Sequence, residues 1–312
     1  MIKKSILIEN KSSITVKNLQ LIIKSEIRES SIPIEDIGFL VLDHQEIYLS
    51  LPAMNMLVQN NTSVIICGNN HLPNGMFLNL NSHHIQQEVF KNQIEASIPL
   101  KKQLWQQTIV EKITNQGILL AKITRNKNSF DFLASKVLSG DTTNMEAVAA
   151  SQYWKNFPLA SEEVGIKRER FGDYPNNFLN YGYAILRAAT ARSLSGSGLL
   201  NTLGIHHKSK YNAFALADDI MEPFRPLVDE KVYEIMQTYN EQDSSQSEQA
   251  KQLNTKIKAE LLQVLTRTVY FKDEKSPLMV ALQKTASSLQ QCFLGNRKKI
   301  KYPKLWNLMP TE

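Results

Sequence analysis

The stretch 211–225, YNAFALADDIMEPFR, sets three carboxylates, Asp218, Asp219 and Glu222, among Phe214, Leu216, Ala217 and Ile220. Asp219 and Glu222 stand three positions apart, so on a helix they share a face. Two like charges there mildly disfavour the helix, and a divalent cation would reverse that penalty. A solvated acidic stripe has the same spacing, but the apolar run around these acids counts against it. Just upstream is Gly204-Ile205-His206-His207-Lys208. Either imidazole could bind Mn²⁺ or Zn²⁺, and neutral imidazole tolerates Mg²⁺ less well. A histidine on its own is more often a surface or hydrogen-bonded core residue. Another acid, Glu146, falls in DTTNMEAVAASQYW (141–154), next to Ala147, Val148, Ala149 and Ala150. Such small neighbours let a second helix come close. A carboxylate buried there needs a metal or an arginine, and Arg187, Arg192 and Arg225 are available. Segment 168–192 collects Arg168, Arg170, Asn176, Asn177, Asn180, Tyr181 and Tyr183. Guanidinium and amide groups can hold phosphates, and a tyrosine ring can stack on a base. An amphipathic helix with a polar cap would read the same way.

These residues need a frame. Short Ile-, Leu- and Val-rich runs at 5–9, 13–17, 19–25, 36–43 and 63–67 predict strands, with a further strand at 76–80. Residues 46–49 would return beside 36–43. Ser50-Leu51-Pro52 opens a helix to about residue 60, since serine caps and proline suits the first turn. From about residue 81 the apolar period becomes 3.6, which predicts helices over most of the remaining chain. They include 104–123 with Gly117 as a weak point, 130–138, 144–157, 175–194 and 211–222. Asp141, Thr142 or Thr143 could cap the one starting at 144. Residues 241–249, EQDSSQSEQ, predict a polar loop. The fold class is therefore α+β, with a small β-rich, sandwich-like unit at 1–82 and a larger all-α unit at 83–312.

The 312 residues carry 36 basic and 30 acidic side chains, a formal charge of +6. The surplus is uneven: residues 1–100 hold 7 basic and 9 acidic groups, the rest 29 and 21. A basic later portion suits a polyanionic partner, and nucleic acid is the commonest one. The cluster Arg297, Lys298, Lys299, Lys301 and Lys304 is either a DNA contact or an unstructured end. No run approaches the ~20 apolar residues of a membrane span. The apolar run at 6–8 is too short for a signal peptide, so a cytoplasmic location is expected. Cys67 and Cys292 match no zinc or redox spacing. P-loop, GxGxxG, HExxH and GxSxG patterns are absent, which argues against nucleotide hydrolysis, dinucleotide redox chemistry and serine hydrolysis.

DTTNMEAVAASQYW, PNNFLNYGYAILRA and GLLNTLGIHHKSKYNAFALADDIMEPFRPLVD occur in this order. Together they resemble the CRISPR-associated integrases of spacer acquisition, the first protein of the adaptation pair, in a type II-like form. The resemblance spans nearly the whole chain. It implies a metal site of Glu146, His207 and Glu222, loaded with Mg²⁺ or Mn²⁺. His207 fits the family's GxxH spacing, with His206 as the competing choice. Many relatives have Asp where Glu222 stands. Asp219 is an additional ligand or a supporting group. The resemblance also implies 3′-hydroxyl attack on a phosphodiester of double-stranded DNA, with hydrolysis when water attacks instead. It implies a homodimer through the β-rich unit and a heterohexamer with a small ferredoxin-like second adaptation protein, along with other type II CRISPR proteins. Arg168, Arg170, Asn177, Tyr181, Lys208, Lys210 and Arg225 are the DNA-contact candidates. Two other readings remain: a structure-specific repair nuclease that uses the same residues, and a non-catalytic DNA scaffold that the basic surplus alone would support but the acid and histidine set argues against.

Overall fold

Alternating apolar residues build the first eighty positions of this computed structural model into two four-stranded sheets. The structure describes residues 3–81, 83–126, 128–158, 168–169, 172–240 and 251–307. The first sheet runs β1(Lys4–Ile8)–β5(Ile37–Leu42)–β7(Ser63–Cys67)–β8(Pro73–Phe77). Its first three strands are parallel and β8 is antiparallel. The second runs β4(Glu29–Pro33)–β3(Gln20–Ser25)–β2(Ser12–Lys17)–β6(Ile47–Leu49). Residues 46–49 therefore do not return beside β5; β6 pairs with β2 in the other sheet. α1(Leu51–Gln59) starts where expected, with the Ser50 hydroxyl accepting from the Ala53 amide at 3.4 Å. β4 was not expected, because ESSIP is polar and ends in proline, as edge strands do.

β5 is buried along its whole length, and its side chains alternate between two cores. Leu40 and Leu42 pack with Ile14, Leu21, Leu57 and Val64 between the sheets and α1. Phe39 and Val41 face the other way and join Ile65 and Cys67 in the core of the helices. The strand-rich and helical parts thus share one apolar seam. A buried ion cluster reinforces it: Lys258 Nζ lies 2.6 Å from Asp43 Oδ2 and 3.0 Å from Glu9 Oε1.

The helical part is organised by α3(Ile98–Thr124), capped by Ser97 and unbroken at Gly117. A Cβ at Gly117 would meet Phe130 Cβ at 2.5 Å, so the glycine lets α4(Phe130–Ser135) approach closely. α2(Gln86–Ile94) precedes α3, and α5(Met145–Asn156) packs on it. α6(Asn176–Gly196) runs through the centre, against α7(Ala215–Met221) and α8(Arg225–Asn240). The expected helix 211–222 is shorter than the sequence predicts. It ends at Met221, and Glu222–Phe224 forms a 3-10 turn, as befits Pro223.

The helical portion is not all-α. After α9(Thr255–Leu262), a hairpin of β9(Thr268–Phe271) and β10(Glu274–Pro277) leads into α10(Leu278–Phe293). The basic segment 297–304 is a strap: Ile300 and Lys298 bond to Gln107 of α3, and Lys304 pairs with Tyr270. Arg170 and the expected loop 241–249 lie outside the described residues. No helix among the described residues is long and apolar enough to cross a membrane.

Candidate active site

Three elements bring the candidate residues together. Glu146 sits in the first turn of α5, where Asp141 accepts from the amides of Met145 and Glu146 at 2.9 and 3.0 Å. Asp141 is thus the cap, acting from outside the helix, while Asn144 adopts a left-handed conformation. Glu222 is buried in the turn between α7 and α8. Between the two carboxylates lies Lys112 of α3. Its Nζ is 2.6 Å from Glu146 Oε1 and 2.6 Å from Glu222 Oε2. Arg225 reaches the other Glu222 oxygen at 2.9 Å. Burial alone would raise the Glu222 pKa, but Arg225 and then Lys112 outweigh it and hold the carboxyl ionised. Burial likewise works against the Lys112 ammonium, and the charges of Glu222 and Glu146 raise its pKa above the usual value.

The histidines have separate tasks. Asp219 is fully buried and accepts the amides of Ile205, His206 and His207 at 2.7, 2.9 and 3.2 Å. It also receives His207 Nδ1 at 2.6 Å. With the carboxylate accepting, Nδ1 donates, and in the neutral ring Nε2 keeps its lone pair. That hydrogen bond raises the His207 pKa, against the opposing effect of burial. Gly204 permits the cradle: a Cβ there would meet His207 O at 2.6 Å and Asp219 Oδ2 at 2.7 Å. His206 instead lays its ring flat on Trp105, with centroids 4.1 Å apart and planes 3° apart. Asp219 and Glu222 therefore do not work as a pair; Asp219 orients His207, and Glu222 faces Lys112.

His207, Lys112 and Arg225 line a cleft of about 830 Å³, together with Arg168, Tyr183 and Asp229. Arg168 stands over the rings of Trp154 and Tyr183, and Arg225 stands over Tyr183 as well. Asp229 lies beneath them and is bonded to the Tyr153 and Tyr183 hydroxyls. Burial pushes its carboxyl up to about 6, against those two bonds and the nearby arginines. Tyr181 does not belong to the cleft. It is fully buried, because two positions along α6 turn the side chain by ~200°. Tyr183 is the tyrosine of α6 that reaches the cleft. Asn177 gives its amide to the Lys251 carbonyl at 3.0 Å. Lys208 and Lys210 are exposed next to the rim residues Ser209 and Tyr211.

Among the described residues, no three His, Cys, Asp or Glu side chains are grouped closely enough to hold a metal ion as they stand. The donor chemistry nevertheless fits a divalent ion. Two carboxylates already converge on one cation, the Lys112 ammonium, beside an imidazole whose Nε2 has no hydrogen-bond partner among the described residues. A histidine locked by a carboxylate on its other nitrogen is the usual support for a metal-binding imidazole.

The family model for the CRISPR associated protein Cas1 matches residues 6–267. The chain belongs to the Cas1 family. A CRISPR-associated endonuclease Cas1 from Neisseria meningitidis serogroup C (strain 8013) is 33% identical over 310 residues, covering 97% of this chain and 96% of that protein. Among solved structures, a casposase bound to its integration product superposes with a TM-score of 0.74 at 20% identity, over 99% of this chain and 96% of that one. A CAS1 protein from Thermotoga maritima gives 0.72 at 16% identity, over 94% and 98%. Both of these structures share the Cas1 fold found here.

Proposed function

We propose that Glu146, His207 and Glu222 hold one divalent cation, Mg²⁺ or Mn²⁺, beside a DNA-binding cleft lined by His207 and Lys112. Membership of the Cas1 family makes the chain an endonuclease and integrase of CRISPR adaptation, inserting short DNA fragments into the array. The observation that carries the site assignment is the convergence of Glu146 and Glu222, 76 positions apart in sequence, on a single cation position beside the open Nε2 of His207.

The chain's own groups divide the work. Asp219 fixes the His207 tautomer and ring orientation. Arg225 keeps Glu222 ionised and aimed. Arg168, Lys208 and Lys210 supply positive charge along and beside the cleft for backbone phosphates, and Tyr183 offers a ring at its wall. When bound, the cation would neutralise charge on the attacked phosphate and lower the pKa of the attacking hydroxyl. A 3′-hydroxyl gives strand transfer, and water gives hydrolysis. No cysteine nucleophile is needed, and Cys67 and Cys292 are both buried and do not line the cleft.

Assembly follows the same reading. The β-rich unit forms a homodimer, supported by the exposed Leu19, Ile27 and Tyr48 at the turns and edge of the second sheet and by Leu51 at the start of α1. A small ferredoxin-like adaptation protein joins two such dimers in the cytoplasm. In a strand-transfer assay, full-length protein, Mn²⁺, a short 3′-hydroxyl duplex and a supercoiled plasmid bearing a repeat should give joined products, with the small partner increasing them. Glu146→Ala should abolish joining while leaving the circular dichroism spectrum unchanged. Wild-type joining by that variant would refute the site assignment, and cleavage without joining would leave a nuclease.

A further inference from the structure

Lys112 is a cation already seated where the divalent ion is expected. It comes from the buried stripe of α3 and is 8% exposed, with its nitrogen 2.6 Å from each carboxylate. Glu222 has a second cationic partner, since Arg225 holds its other oxygen at 2.9 Å. What Lys112 alone does is bridge Glu146 to Glu222. A dication and an ammonium cannot share the same two oxygens, because their repulsion in a poorly hydrated site is strong. We propose that Lys112 is a resident competitor, occupying the carboxylate pair in the metal-free protein and leaving it for the cleft when the site is loaded. The inference rests on the metal reading given above.

The geometry allows the exchange. Lys112 itself lines the 830 Å³ cleft, and a four-carbon stem can re-aim its head by rotamer changes alone. The released ammonium would face the space reserved for DNA phosphates. Metal and DNA would then bind with positive coupling, each favouring the released lysine, and the coupling must be reciprocal. In the metal-free state the same lysine keeps two carboxylates from repelling each other, so the site stays folded without its ion.

Mn²⁺ uptake by full-length protein, followed by the electron paramagnetic resonance signal of free Mn²⁺, tests this without any DNA chemistry. Lys112→Met keeps the stem and removes the charge, and should tighten Mn²⁺ binding by about 10-fold or more. A purely structural lysine would give the opposite result, because losing it would loosen the carboxylates. Equal or weaker Mn²⁺ binding by Lys112→Met overturns the proposal and leaves the metal site standing. Absence in the wild type of any Mn²⁺ uptake that Glu146→Ala abolishes overturns the metal reading, and this one with it. Should Lys112→Met fail to fold, the wild type still decides. Acylation of Lys112 by a small amine-reactive reagent, read by peptide mass spectrometry, should rise several-fold on saturation with Mn²⁺. Unchanged acylation overturns the proposal.

Discussion

His206 and His207 are adjacent in sequence and both meet Trp105, one face-on and one edge-on, but their polar partners differ. His207 is held by Asp219 with its Nε2 open, whereas His206 is stacked on Trp105. His207→Ala should lower strand transfer by about 100-fold or more, and Asp219→Asn by about 10- to 100-fold through the lost orientation. His206→Ala should leave the rate within a few-fold and cost about 1 kcal/mol of stability, the worth of an aromatic stack. Single-turnover rates and denaturant midpoints separate the two. Asp229 gives a pH signature. Its carboxyl ordinarily titrates at 3.8 and is pushed up to about 6 in the fold. Between those values the native state keeps a proton that the unfolded chain has lost. Its contribution is therefore full below pH 3.8 and is lost as pH rises through 6, by about 3 kcal/mol in all. Asp229→Asn should remove that slope, as measured by urea unfolding from pH 4 to 7.

Helices and turns carry these side chains, and Gly117 and Gly182 set how closely the helices approach. A Cβ at Gly182 would meet Val228 Cγ1 at 2.4 Å where α6 crosses α8. Gly182→Ala should cost about 1–3 kcal/mol by overpacking, and should slow strand transfer because α8 begins three residues after Glu222. Thermal midpoint and rate should fall together. Much of this framework was legible in the sequence. The change of apolar period near residue 81 located the switch from strands to helices, and acids in an apolar run marked Glu222 and Asp219. Lys112 was not found, because lysine is by default a surface residue. Its place among Leu104, Thr108, Ile109, Ile113 and Gln116, on the buried face of α3, is the signal that could have revealed it. The hairpin at 268–277 was hidden by its helical surroundings, although TVYF is strand-forming. Tyr183 was passed over for Tyr181 because adjacent aromatics cannot be assigned to a face until the helix phase is known.

The molecule as a whole is joined through the first sheet. Phe39, Val41 and Ile65 are shared with the helical core, and Lys258 ties Asp43 and Glu9 to α9. Lys258→Met would take the ammonium from Glu9 and from the buried Asp43, leaving Asp43 with His71 Nδ1 at 2.9 Å. It should cost about 3–5 kcal/mol, and the unfolding transition should broaden or split as the strand-rich part loses its anchor. Calorimetry of the full chain reads both effects; a single sharp transition at the wild-type midpoint would count against the anchor. The two halves of the site are mounted differently within this body. Glu146, Lys112 and Glu222 meet only when α3, α5 and the turn before α8 are all in place. The seat of His207 closes within 14 positions, from Ile205 to Asp219. A short ring loses less chain entropy on closing than one spanning 76 residues. A refolding chain should therefore regain its imidazole clasp before its carboxylate pair. Protein caught midway would hold a correctly oriented histidine with nothing opposite it.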